Sequence, residues 1–212
     1  MYYPGYIQDI QDNYVQVLVP IDKVYTFEKQ NITSCMVEFS DGRTITPDQR
    51  KKAHAILGEI SDWNGDLPEY IKEIMKYGFI EAKGGDYFSL ADCSVTTARE
   101  FINYLIDFCF FNNVPTRDTM LNRTEDIGHY LYSCLANRKC AVCNAKAEIH
   151  HCEGSRVGMG FDRKDINNVG RSAIALCRKH HHQAHNSEKD FFEKYHIYGI
   201  KLDEYLVRKL RL

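Results

Sequence analysis

Two pairs of metal-seeking side chains bracket part of the last third of the chain, Cys140-x-x-Cys143 and Cys177-x-x-His180. Ligands three residues apart can reach one ion from a tight turn. Two such pairs complete a tetrahedron, the closed four-ligand shell of a structural zinc. Such an ion stands in for a core that so short a stretch could hardly build. The same stretch holds His150, His151, Asn168, His181 and His185, none of which a structural zinc needs. On a helix turning about 100° per residue, with Cys177 at the origin, His180 falls near roughly −60°, His181 near roughly +40° and His185 near roughly +80°. His181 and His185 therefore line the flank beside the zinc pair. On a strand, His150 and His151 point to opposite faces. One can join His181 and His185 around a second ion while its neighbour stays neutral and acts as a base towards water, work suited to a side chain that titrates near neutral pH.

The elements that must position these residues are readable from periodicity and punctuation. Glu148–His151 and Ala173–Leu176 read as strands, joined by a glycine-bearing loop over Gly154–Gly170. A helix follows from about Arg178 to Asn186, then one capped by Ser187 running to Tyr195, and a short amphipathic helix over Leu202–Leu210. Upstream, Val15–Val19 and Met36–Phe39 read as short strands, with a turn at Asp41-Gly42. Thr46-Pro47-Asp48-Gln49 starts a helix whose apolar face is Ala53, Ile56, Leu57 and Ile60. A second helix spans Glu69–Tyr77 with Gly78 as C-cap, and Tyr87–Leu90 is a further strand. Ser94 opens a long helix with Phe101, Tyr104, Leu105, Phe108 and Cys109 on one side, ended by Asn112-Asn113-Val114-Pro115. Thr124-Glu125-Asp126 opens a shorter one to about Leu135.

These elements make an α+β chain with a boundary at Ala136–Lys139: a mixed domain over 1–136 and a small zinc-stapled domain over 137–212. Charge follows the same division. The net charge of −2 sums a front part, residues 1–137, with 12 Lys and Arg against 20 Asp and Glu, and a tail, 138–212, with 15 against 9. A basic tail suits a phosphate-backbone partner. Its candidate contacts are Arg156, Arg163, Lys164 and Arg171, with Lys139 and Arg178, and the front part offers only a local patch, Arg50-Lys51-Lys52. Eight cysteines with no secretory signal argue for metal rather than disulfides and for the cytoplasm, and no apolar run is long enough for a membrane span.

Ile149-His150-His151, a downstream Asn, and Ala175-Leu176-Cys177-Arg178-Lys179-His180-His181 together resemble the HNH (ββα-metal) endonuclease motif, and the bracketing ligands resemble its zinc-stapled members. The resemblance covers about Cys140–Asn186. It implies that His150, His181 and His185 hold a catalytic Mg²⁺ or Mn²⁺, that His151 is the general base, and that Asn168, with Asn167 as competitor, braces the loop and orients that base. The implied reaction is hydrolysis of a DNA phosphodiester to 5′-phosphate and 3′-hydroxyl ends.

A second resemblance lies in front. Arg43-x-Ile45-Thr46-x-Asp48-Gln49-Arg50-Lys51, Leu57-Gly58-Glu59-Ile60, Trp63-x-Gly65, Phe88-x-Leu90, Ser94-x-Thr96 and Val114-Pro115 are similar to the Orf (NinB) recombination mediators of lambda-like phages. That likeness implies a homodimer that binds single-stranded or branched DNA, encoded by a phage or prophage and acting in DNA recombination inside a bacterial host. The alternative reading is a non-catalytic mediator whose zinc module only stabilises structure. His150, His151, His181 and His185 distinguish the two.

Overall fold

The computed structural model describes residues 5–21, 24–31, 33–35, 37, 42–155 and 167–212. The strand expected over Met36–Phe39 and the Asp41-Gly42 turn lie largely outside these, and Arg156, Arg163 and Lys164 lie outside them altogether. The chain forms two compact units, Met1–Phe39 and Ser40–Leu212.

In the first unit, β1 (Tyr6–Gln11) and β2 (Tyr14–Leu18) form an antiparallel hairpin, and α1 (Val24–Lys29) follows. The register sets Ile7 against Val17 and Ile10 against Val15. Only the second strand is legible in the sequence, because an irregularity between Ile7 and Asp9 breaks the two-residue alternation of the first. The short α1 carries no such signal either.

In the second unit, α2 (Pro47–Asn64) begins with a full capping box. The Thr46 hydroxyl accepts from the Gln49 amide and the Gln49 side chain accepts from the Thr46 amide, both at 3.1 Å. The helix ends at Gly65, whose φ of 84° is left-handed. Its buried face packs against α4 (Val95–Asn112), which Ser94 caps and a left-handed Asn113 terminates. A bridge between Thr44 and Ser94 and a 2.7 Å bond from the Ile45 amide to the Cys93 carbonyl align the starts of the two helices.

Between them, α3 runs over Pro68–Lys83, longer than the expected Glu69–Tyr77. Gly78 is an interior residue rather than a cap. The buried series Ile71, Met75 and Phe79 continues through it, and a Cβ at Gly78 would clash with the Tyr104 hydroxyl of α4. The glycine serves helix-to-helix approach. Residues 87–90 join no sheet either. Phe88 packs edge-on against Phe79 and Phe101, at 5.6 and 5.2 Å between centroids. Arg50 donates to the Leu90 and Ala91 carbonyls at 2.8 and 2.6 Å, where ladder partners would otherwise be needed.

A single 3₁₀ turn, Met120–Asn122, leads into α5 (Ile127–Ala136), capped by Asp126. A buried ion pair ties this approach to α2: Arg123 donates to both Glu59 oxygens, at 2.6 and 2.8 Å. The rest of the unit is a three-stranded antiparallel sheet in the order β3 (Glu148–His151), β4 (Ser172–Leu176), β5 (Ile200–Lys201), with α6 (Arg178–Asn186), α7 (Glu188–Tyr195) and α8 (Glu204–Leu210). β5 is too short to leave a periodic trace in the sequence. Small antiparallel sheets beside packed helices make the molecule α+β, as expected.

The expected boundary at Ala136–Lys139 falls inside the second unit. One apolar core runs from Ile45 to Leu210, and α5 packs on the buried β4. The Tyr130 hydroxyl donates to the Ala141 carbonyl at 2.8 Å. Asn144 accepts from the Met120 amide at 2.6 Å and donates to Tyr130 at 2.8 Å. Among the described residues no helix is long and apolar enough to cross a membrane.

Candidate metal centres

The first centre is assembled by a knuckle and a helix start. After α5, the Cys140 amide donates to the Ala145 carbonyl at 2.7 Å and the Asn144 amide returns to the Cys140 carbonyl at 2.8 Å. Asn144 closes this turn with a φ of 57°, a conformation asparagine tolerates better than most residues. The Ala141 amide donates to the Ala175 carbonyl at 2.9 Å, fixing the knuckle to β4. Cys177 is the N-cap of α6, and His180 lies in that helix's first turn.

The four ligand atoms of Cys140, Cys143, Cys177 and His180 lie within 4.8 Å of one another. His180 Nδ1 is 3.3 Å from both Cys140 Sγ and Cys177 Sγ, and Cys143 Sγ is 3.7 Å from Cys177 Sγ. Bonds of about 2.3 Å to sulfur and 2.0–2.1 Å to nitrogen, set tetrahedrally, give edges of roughly 3.5–3.8 Å. The donor set therefore fits a zinc ion. Burial pushes the Cys140 thiol up to about 12. At Cys177 burial also acts upwards, but the His180 amide at the start of α6 leads the hydrogen bonds that bring the thiol below its ordinary value. Burial, helped by Lys179 and Lys194, lowers His180, keeping the imidazole in the neutral form a ligand requires.

The second centre begins one residue later on the same helix. His150, His181 and His185 also bring their ligand atoms within 4.8 Å of one another. Their ring centroids are 4.9 Å apart for His150–His181, 4.9 Å for His150–His185 and 4.8 Å for His181–His185. His150 is buried, His181 half-buried and His185 exposed, so the cluster is closed behind and open in front. Three donors on one side of an ion would leave positions for water or another oxygen ligand. His150 Nδ1 is buried and has no hydrogen-bond partner among the described residues, a vacancy in bonding that a cation would fill.

His151, the next residue on the strand, is not among the residues of this cluster, in keeping with strand alternation. It is half-buried, with Nδ1 unpartnered among the described residues. Burial first, and the Arg171 charge second, lower its pKa below the ordinary value, which keeps it neutral and able to accept a proton. Arg171 spans the base of the 154–170 loop, donating to the Asn167 and Ser155 carbonyls at 3.1 and 3.0 Å. Asn168 is buried, whereas Asn167 is exposed with its side chain accepting from the Val169 amide at 2.9 Å.

Among the expected front-part cations, Arg50 is committed to the carbonyls of residues 90 and 91, and Lys52 to Asp48 at 2.8 Å and to Glu125. Lys51 is exposed. Two acidic residues at the second centre go unnoticed in the sequence reading. Glu148 accepts from His181 Nδ1 at 3.0 Å and from Arg178 at 3.2 Å, and its position two residues before His150, on the same strand face, was a usable signal. Glu188 lies 2.8 Å from His150 Nε2, and no spacing rule marks it.

A family model described as "Putative HNHc nuclease" matches residues 22–212. No curated protein and no solved structure matches the chain.

Proposed function

The chain belongs to this nuclease family, and from that premise we propose that it is a metal-dependent DNA endonuclease whose reacting centre is His150, His181 and His185 with His151 as general base. The observation that carries the proposal is the second, open imidazole cluster, set one residue along α6 from the sealed one.

In this reading His150 and His181 hold the ion from strand and helix, and His185 completes the set from the next turn. The ion, when bound, supplies positive charge to the phosphate as it accepts the nucleophile and to the departing 3′ oxygen. Three imidazoles favour a first-row transition ion such as Mn²⁺ over Mg²⁺, which prefers oxygen donors. His151 takes a proton from water as that water attacks phosphorus in line, and Asn168 braces the loop beside it. Products carry 5′-phosphate and 3′-hydroxyl ends. Lys51, Arg171 and Arg178, the last with its side chain 90% exposed, are the described cations assigned to phosphate contacts.

The proposal extends to recombination on single-stranded or branched phage DNA by a homodimer inside the bacterial cytoplasm. The front-part resemblance supports it, and the homodimer is supported by a stripe along α3 and the residue just before it. Leu67, Tyr70, Ile74 and Tyr77 are 76%, 56%, 40% and 62% exposed, and they follow the three-and-four spacing of a helix-pairing seam. An antiparallel second copy would set each tyrosine against an aliphatic residue.

The test is cleavage of single-stranded, duplex and branched DNA with Mn²⁺, Mg²⁺, Co²⁺ or Ni²⁺. His151→Ala should lower the rate by about 10²–10⁴-fold while zinc content and DNA binding stay at the wild-type level. Purified wild-type protein that nicks no substrate with any of these ions would leave the non-catalytic mediator.

A further inference from the structure

The structure assigns Glu188 as the residue that positions His150. It rests on the reading of the second centre as a metal site. Glu188 is the first residue of α7, in a different element from every ligand. Its Oε2 lies 2.8 Å from His150 Nε2 and its Oε1 accepts from the Glu153 amide at 2.8 Å. One carboxylate therefore grips the third residue of β3 and the chain just beyond that strand. Both side chains are withdrawn from solvent, at 0% exposure for His150 and 9% for Glu188.

A carboxylate in that position accepts only, so the ring proton of a neutral His150 sits on Nε2 and the lone pair on Nδ1. Nδ1 is the buried atom without a hydrogen-bond partner. Glu188 thus selects the tautomer that can bind a cation, locks the ring's rotation and raises its donor strength, as carboxylates behind metal-bound histidines do. Glu148 holds His181 in the mirrored sense, accepting from Nδ1 at 3.0 Å and leaving Nε2 for the ion. Glu148 is exposed and also serves Arg178, so the buried grip on His150 is the less replaceable of the two.

A merely structural role is available to Glu188, since an acid in a helix's first turn is favoured by the peptide dipoles. Asp190 shares that turn and accepts from the Ser187 hydroxyl at 2.7 Å, away from His150, which makes it the control. Mn²⁺ binding to the zinc-loaded full chain should weaken about 10- to 100-fold in Glu188→Gln and Glu188→Ala, with zinc content held, and should not change in Asp190→Ala. Nitrogen NMR of the Mn²⁺-free protein should show His150 protonated on Nε2 in the wild type and a mixture of tautomers in Glu188→Ala. Wild-type Mn²⁺ affinity in both Glu188 variants, or a His150 protonated on Nδ1 in the wild type, would overturn the assignment. Wild-type protein that binds no Mn²⁺ yet keeps the Nε2 tautomer would instead remove the metal reading and leave Glu188 as the group that orients the ring.

Discussion

His129 and His150 carry the same side chain and titrate in opposite directions. His129 Nε2 lies 2.9 Å from Asp107 Oδ2, and that hydrogen bond, joined by the carboxylate's charge, raises its pKa against the opposing effect of burial. His150 also has a carboxylate partner, but burial dominates and lowers it. A folded-state value above the unfolded one means that the His129 contribution is complete below about pH 6.5 and disappears as pH rises through the folded value. His129→Gln should therefore melt below the wild type at about pH 5.5 and approach it at about pH 9. Thermal melts at the two pH values check this, and an equal gap at both would contradict it. The pair is partly exposed, so the effect should be modest and weaken with salt.

Among the elements, α3 makes the clearest demand on a single position. Gly78→Ala places a methyl group in steric conflict with the Tyr104 hydroxyl, and overpacking of this kind costs about 1–3 kcal/mol. Denaturant melts should show that loss in Gly78→Ala and partial recovery when Tyr104→Phe removes the hydroxyl. On the exposed face, Tyr70→Glu with Ile74→Glu should shift sedimentation towards monomer while the chain stays folded, because neither side chain is in the core. Unchanged sedimentation would remove the stripe from the dimer proposal. The same helix marks the limit of what periodicity reveals. The capping box at Thr46, the start at Ser94 and the strand–strand–helix order around the histidines were all legible, because local hydrogen bonding and spacing determine them. Gly78 looks like a stop because a glycine required by a neighbouring helix leaves the same letter as one required by a left-handed turn. Residues 87–90 look like a strand for a similar reason: Phe88 and Leu90 alternate as strand residues do, but their neighbours are α3, α4 and the Arg50 side chain.

Over the whole molecule, the ligands of the first centre and the histidines of the second were found by spacing, while the carboxylates behind them come from tertiary folding and leave little pattern. Tertiary folding also joins the helical part to the cysteine knuckle. Asn144 reaches both Met120 and Tyr130, and the core is continuous across the junction. Stripping zinc with a chelator, or Cys140→Ser, should therefore lower the melting temperature of the unit from Ser40 onwards as one transition. Proteolysis of the zinc-free protein should open sites on both sides of residue 136. A stable zinc-free fragment ending near Ala136 would show that the front helices fold without the tail.

His180 and His181 are neighbours on one short helix and belong to two different ligand clusters. With both clusters filled as proposed, metal loading would be ordered. Until an ion in the first cluster pinned the start of α6, the imidazoles of the second would have a looser frame in which to converge. A cell short of zinc would then accumulate chains that surplus manganese activates poorly, which would tie this protein's output to the supply of an ion that never touches its substrate.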